Sequence, residues 1–136
     1  MAYIDLNVFI YPVIYSSKAQ KKAKKSKEIL MKIERGELLA YTSTLTCDEV
    51  VWVVSRVLGR EDGINQGRKL LAFPNLQFVD VDRRILSTAQ SLMDGYMLKP
   101  CDAIHVASAI NKNVKKLISD DEDFDVIEEV ERISLL

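Results

Sequence analysis

Histidine occurs once in this 136-residue sequence and cysteine twice. Both scarcities restrict the chemistry. Without a second His and without G-x-S-x-G, a Ser-His-Asp hydrolase is unsupported. Cys47 and Cys101 lie far apart and form no metal-ligand spacing. As free thiols in a domain with a good core, they fit a reducing cytosol and a cytoplasmic protein. Cys101 lacks the base partner that a nucleophilic thiol needs. No uninterrupted apolar run approaches the roughly 18 residues needed to span a bilayer, so no membrane association is expected. The start has no basic stretch, and Asp5 interrupts its apolar run, so it makes a poor signal peptide. Neither G-x-x-x-x-G-K-[ST] nor G-x-G-x-x-G is present, which excludes the phosphate-cradling folds they mark. A net charge of -1 gives no global basic field. No repeat, linker or low-complexity block divides the chain, and residues 1–136 are expected to form one domain.

What is present is a core-forming composition, 48% hydrophobic and 29% charged. Ala2-Tyr3-Ile4 is a short apolar run with no alternation, as in the buried central strand of a parallel sheet. A helix from Asn7 to about Tyr15 can hold Pro12 only near its first turn or at a kink. Ser16-Ser17 caps a helix over 18–35 whose inward stripe is Ala19, Ala23, Ser26, Leu30 and Ile33. Leu38–Thr42 reads as a strand. Ser43 or Thr44 then caps a buried helix running to Leu58 and closed by Gly59. A helix over Glu61–Ala72, a strand over Leu76–Val79 and an Asp82-capped helix over Arg83–Met93 follow. Cys101–Asn111 is apolar nearly all round, Lys115–Ser119 is a strand, and Arg132–Leu135 can be a last one. Strands alternating with helices predict an α/β fold, a three-layer α/β/α sandwich around a central, mostly parallel sheet of about five strands.

Four groups of acids recur at strand ends and helix starts. Asp5 ends the first strand, Glu49 and Asp102 lie in early helical turns, and Asp120, Asp121 and Asp123 follow Ser119. Taken singly, each can be a turn, cap or helix-dipole residue. In a parallel sheet, however, these positions share one edge, where ligands bind in open α/β folds. Carboxylates gathered there repel one another by roughly 4 kcal/mol per close pair at an effective dielectric near 20. The sequence offers no matching set of buried-looking Arg or Lys. A divalent cation resolves the conflict, and oxygen ligands without a Cys or His triad favour Mg²⁺ or Mn²⁺ over Zn²⁺. His105, one turn beyond Asp102, reads as a core or supporting histidine. Asn7 stands where a haloacid-dehalogenase-type phosphatase would need a second Asp.

Charge is polarised along the chain. Between Ser16 and Lys27 there are six lysines and no acid, and from Asp120 to Glu131 eight acids and no base. Lys18, Lys21, Lys22 and Lys25 share a helix face, either as a solvated surface or as phosphate contacts for RNA.

At Tyr3–Ile10, Glu49-Val50-Val51, Asp102–Ala107 and Ser119–Phe124 the chain resembles a PIN domain, the metal-dependent nuclease fold. The resemblance covers nearly the whole sequence and is similar to the single-domain VapC-like toxins of toxin–antitoxin pairs. It implies a five-stranded parallel sheet between helices. It also implies catalytic metal-ligand roles for Asp5, Glu49, Asp102 and Asp121, with Asp123 as a fifth acid and Asn7 and Ser119 as polar support. Lys99-Pro100-Cys101 and Asp120 depart mildly from the family pattern. The expected activity is Mg²⁺- or Mn²⁺-dependent endoribonuclease cleavage of RNA, in a homodimer that pairs with an antitoxin. A non-catalytic interaction module and a DNA-directed nuclease with the same acids are the alternatives.

Overall fold

Tyr3 and Ile4 are fully buried because their strand has a neighbour on each side and helices on both faces. This strand, β1 (Ala2–Ile4), pairs in parallel with β2 (Ala40–Ser43) and β4 (Lys116–Ile118). Strand β3 (Leu76–Val79) flanks β2, and β5 (Glu131–Ile133) flanks β4. The order is β3-β2-β1-β4-β5, and every pairing is parallel. This computed structural model describes residues 1–15 and 20–135.

The pleat sends adjacent residues to opposite faces, and two cores follow from it. Ile4 and Ile118 join α1 (Leu6–Ile14), α2 (Lys21–Glu34), α3 (Thr44–Leu58) and α4 (Arg60–Leu71) through Val8, Ile33, Val54 and Leu70. Tyr3 and Leu117 join α5 (Arg83–Gly95) and α6 (Pro100–Asn111) through Ile85, Leu92 and Val106, together with Phe124 from the segment after β4. The result is the expected three-layer arrangement, with the sheet parallel throughout. No helix among the described residues is long and apolar enough to cross a membrane.

Local signals set most boundaries. The Ser43 hydroxyl accepts from the Leu45 amide at 3.0 Å, and Asp82 accepts from the Ile85 amide at 2.9 Å, each stabilising a helix start. Gly59, at φ 103°, makes the sharp passage from α3 into α4 that an L side chain resists. Two expectations change. Pro12 lies inside α1 beyond its first turn, so the Val8 carbonyl cannot receive the usual helical bond. The helix α3 is buried on one side only: Val50 and Val54 reach the core, while Trp52 is 49% exposed. A continuous apolar run longer than one turn must point all round a helix, so part of it faces outward. Ser16, Ser17, Lys18 and Ala19 lie outside the described residues.

The closeness of α4 to α3 depends on two glycines one turn apart. A Cβ at Gly63 would meet Ser55 Oγ at 1.9 Å and the Val51 carbonyl at 2.8 Å; one at Gly67 would meet Val51 Cγ2 at 2.6 Å. The serine can rotate, but the backbone carbonyl cannot without moving the helix. Gly63→Ala is therefore expected to cost about 1–3 kcal/mol and lower Tm by several degrees. Gly95→Ala, with nothing within 4 Å, is the control. Equal melting of the two variants would show that α4 yields freely.

Candidate active site

Because all five strands run the same way, their carboxyl ends share one edge. Asp5 leaves β1 there, with its amide donating to the Ile118 carbonyl at 3.1 Å. It occupies the cap position of α1, yet its side chain makes no capping bond. Its carboxylate instead accepts from Ser119 Oγ at 2.7 Å and is 6% exposed as a residue. Burial raises its pKa, and the negative charge of Glu49 adds to that; the His105 charge and the Ser119 bond oppose it. The simple cap reading of Asp5 therefore does not hold: a buried carboxylate is retained without serving the helix.

Ser119 links two acids. Its hydroxyl donates to Asp5 and accepts from the Asp121 amide at 3.0 Å. Asp121 then accepts from the Asp123 amide at 2.9 Å, capping a short 3-10 helix over Glu122–Val126. This turn directs carboxylates toward α6. Asp102, Asp121 and Asp123 each offer an oxygen, and these oxygens lie within 4.8 Å of one another. Asp102 is half-buried, and its pKa is pushed up to about 6 by burial and then by the charges of Asp121 and Asp5. Asp5 and Glu49 stand outside this tight trio; the charge of Asp5 acts on Asp102, and that of Glu49 on Asp5.

Glu49 is held by His105. The ring Nε2 lies 2.6 Å from Glu49 Oε1, and Nδ1 lies 2.6 Å from the Tyr3 hydroxyl. The imidazole is buried, which by itself would lower its pKa. The bond to Glu49 and the charges of Asp5, Glu49 and Asp102 outweigh burial and raise it. Protonated, the ring donates from both nitrogens, to Glu49 and to the Tyr3 oxygen. Burial also drives the Tyr3 hydroxyl far above its ordinary pKa, so it stays neutral.

Neighbouring acids diverge. Asp120 turns away from the trio and accepts from the Tyr11 hydroxyl at 2.7 Å and from Lys22 Nζ at 2.9 Å. Although burial raises its pKa, these donors bring it below the ordinary value. Asn7 Oδ1 accepts from the Asp120 amide at 3.2 Å, so Asn7 steadies the turn after β4. Asp125 is committed to Arg132, at 2.6 and 3.1 Å. Of the four lysine candidates, Lys22 is thus engaged by an acid and is no open phosphate contact. Lys21 and Lys25 are exposed along a groove with Lys24; Lys18 lies outside the described residues. Cys101 is exposed at the same edge; burial and the charges of Glu49 and Asp102 hold its thiol above the usual value, which disfavours a thiolate.

Among the described residues, no Lys or Arg forms an ion pair with Asp5, Glu49, Asp102, Asp121 or Asp123. Carboxylates this close, without Lys or Arg partners and with the buried Asp5 facing the His105 ring at 3.9 Å and the Ser119 hydroxyl, fit a hard divalent cation that takes oxygen ligands. His105 is spent on Glu49 and Tyr3, so the donor set offered to an ion is oxygen. The roles of His105, Tyr3 and Tyr11 had little sequence signal. Tyr11 sits one turn after Asn7, but only the docked strand β4 shows that both reach Asp120.

The family model of the PIN domain matches residues 2–130. No curated protein matches the chain. Several solved structures share its fold. A toxin–antitoxin complex from Klebsiella pneumoniae has 19% identity and TM-score 0.70, covering 100% of this chain and 98% of that one. The sarcin-ricin loop cleaving toxin VapC20 of Mycobacterium tuberculosis has 12% identity and TM-score 0.73, covering 94% and 95%. FitAcB from Neisseria gonorrhoeae has 15% identity and TM-score 0.73, covering 99% and 98%. The identities are low and speak for the fold, whereas the family match spans nearly every element that carries an acid. The chain, with its acids gathered at the carboxyl edge of a five-stranded parallel sheet, belongs to the PIN domain family, nucleases that generally use divalent metals.

Proposed function

We propose that this protein is an Mg²⁺- or Mn²⁺-dependent endoribonuclease acting as the toxin of a toxin–antitoxin pair. The observation that carries the reading is the oxygen-only trio of Asp102, Asp121 and Asp123, with Asp5 buried beside it and, among the described residues, no Lys or Arg in an ion pair with them. Asp5, Glu49, Asp102, Asp121 and Asp123 would hold the ion. Bound there, a divalent cation supplies an activated water and offsets charge on the phosphoryl transition state. The protein's part is to keep the acids in place. Ser119 ties Asp5 to the turn carrying Asp121, His105 orients Glu49, and Asn7, Tyr11 and Lys22 fix the intervening Asp120. Lys21 and Lys25 lie free to meet backbone phosphates.

The toxin role is supported by neighbours crystallised as toxin–antitoxin complexes and by one described as cleaving the sarcin-ricin loop. On this reading the chain forms a homodimer and is silenced by a partner protein. The acids by themselves do not choose RNA over DNA. The test is cleavage of a structured RNA, a single-stranded RNA and a DNA of the same sequence, with Mg²⁺ or Mn²⁺ and with EDTA. We expect RNA to be cut only with metal. Cutting that survives EDTA, or is confined to DNA, would reject the reading.

A further inference from the structure

Beside the acid edge lies a cleft of about 330 Å³, within the size range of small-ligand sites. Leu6, Leu45, Trp52 and Val53 give it apolar walls, and its charged lining residues are Asp48 and Glu49. Trp52 follows Glu49 by three residues on α3, so the two share a helix face about one turn apart. The Arg56 guanidinium lies over the indole, 4.4 Å from the ring centroid, and holds it in place from the next turn. The indole is nevertheless 49% exposed.

We propose that this cleft is a base-binding subsite, in which an unpaired base of the substrate strand stacks beside Trp52 while its neighbouring phosphate lies at the acids. The inference rests on the ribonuclease reading. Three observations favour this occupant. Glu49 belongs both to the acid set and to the cleft wall, so a strand engaged at the metal site passes directly into it. The cleft's charges are both carboxylates, which repel a phosphate but accept from the N–H donors of a base edge, the amino groups of adenine, cytosine and guanine and the ring N–H of guanine and uracil. A ring already backed by a guanidinium presents a flat aromatic surface of the kind that stacks bases without regard to sequence. The subsite therefore accepts any unpaired base and lies one nucleotide from the cut.

Trp52 is the sole tryptophan of the chain, so its emission reports on the cleft alone. In an Asp102→Asn background, which leaves the strand uncut, short oligoadenylate and oligocytidylate should quench that emission saturably. Oligouridylate should quench as well, and an abasic ribose-phosphate oligomer of equal charge should not quench. In the otherwise native chain with Mn²⁺, Trp52→Leu should raise KM roughly tenfold or more and leave kcat within about threefold. Trp52→Phe, which keeps a stacking ring, should recover most of the loss, and thermal melting checks that both variants fold. An unchanged KM in Trp52→Leu would overturn the proposal. So would emission that follows protein concentration and ignores oligonucleotide, because a second copy of the chain would then cover the indole. Absence of metal-dependent cleavage by the native chain would count against the ribonuclease reading itself, and the quenching series would still decide the subsite.

Discussion

Asp102→Asn is expected to lower metal-dependent RNA cleavage by at least about a hundredfold while raising the melting temperature of the metal-free protein. The two effects share one cause. Asp102 is half-buried and faces the charges of Asp121 and Asp5, so its pKa is pushed up to about 6: it stays mostly ionised at neutral pH, but that charge costs more than it does in the unfolded chain. The amide keeps the shape and removes the repulsion, which stabilises the empty site. It also removes a ligand where a cation must be held and transition-state charge offset. Solvent reaches Asp102, which tempers the gain to a few degrees. Asp125→Asn is the matched control, because its exposed pair with Arg132 lies apart from the trio. Full activity in Asp102→Asn would refute a ligand role. Lost activity with a lowered melting temperature would point to misfolding instead.

Without metal, the protein should melt at a progressively lower temperature as pH rises from 5 to 8, and Mn²⁺ should reverse the trend. The signs follow from the direction of each shift. Asp5 and Asp102 have raised pKa values, so their stabilising contribution is complete below the unfolded value near 4 and disappears as pH climbs through the folded one. His105 is also raised; its contribution is complete below about 6.5 and is lost above its folded value. Asp120 and Asp125, lowered by their donors, act in the opposite sense, but only as pH falls toward 4 and below. Between pH 5 and 8 the three raised groups set the slope. A cation competes with the proton on Asp102, so Mn²⁺ should bind best above pH 6 and weaken by up to about tenfold per unit below it. At a hundred times its Kd it should add about 2.7 kcal/mol at pH 8. Melting curves at fixed ionic strength, with and without Mn²⁺, read both effects. A metal-free melting temperature that is flat or rising over this range would sink the electrostatic account of the site.

The chain's order of elements was legible because its signals are local. Ser43, Gly59 and Asp82 mark helix ends by their own backbone and capping chemistry, and Tyr3-Ile4 reads as a buried strand from composition alone. The acids were legible because alternating strands and helices in a parallel sheet place strand ends and helix starts on one edge. Less legible was which of several adjacent acids faces that edge. Asp120 and Asp121 are neighbours of the same type, yet one binds Tyr11 and Lys22 and the other joins Asp102 and Asp123. That choice depends on the turn after β4, held at Asp120 by Asn7 and at Ser119 by Asp5, 113 and 114 positions away along the chain. The pairing of Lys22 with Asp120 was hidden in the lysine run for the same reason, since a helix face is not known to be free until its neighbours are placed.

Amino-acid sequence by itself determined the α/β alternation and the buried first strand. It did so because hydrophobic period and cap chemistry act over a few residues. Tertiary structure alone decided that His105 clamps Glu49 against Tyr3, that Asp123 closes the trio and that Trp52 opens beside the site. These depend on contacts such as that between Tyr3 and His105, 102 residues apart, which no local pattern encodes.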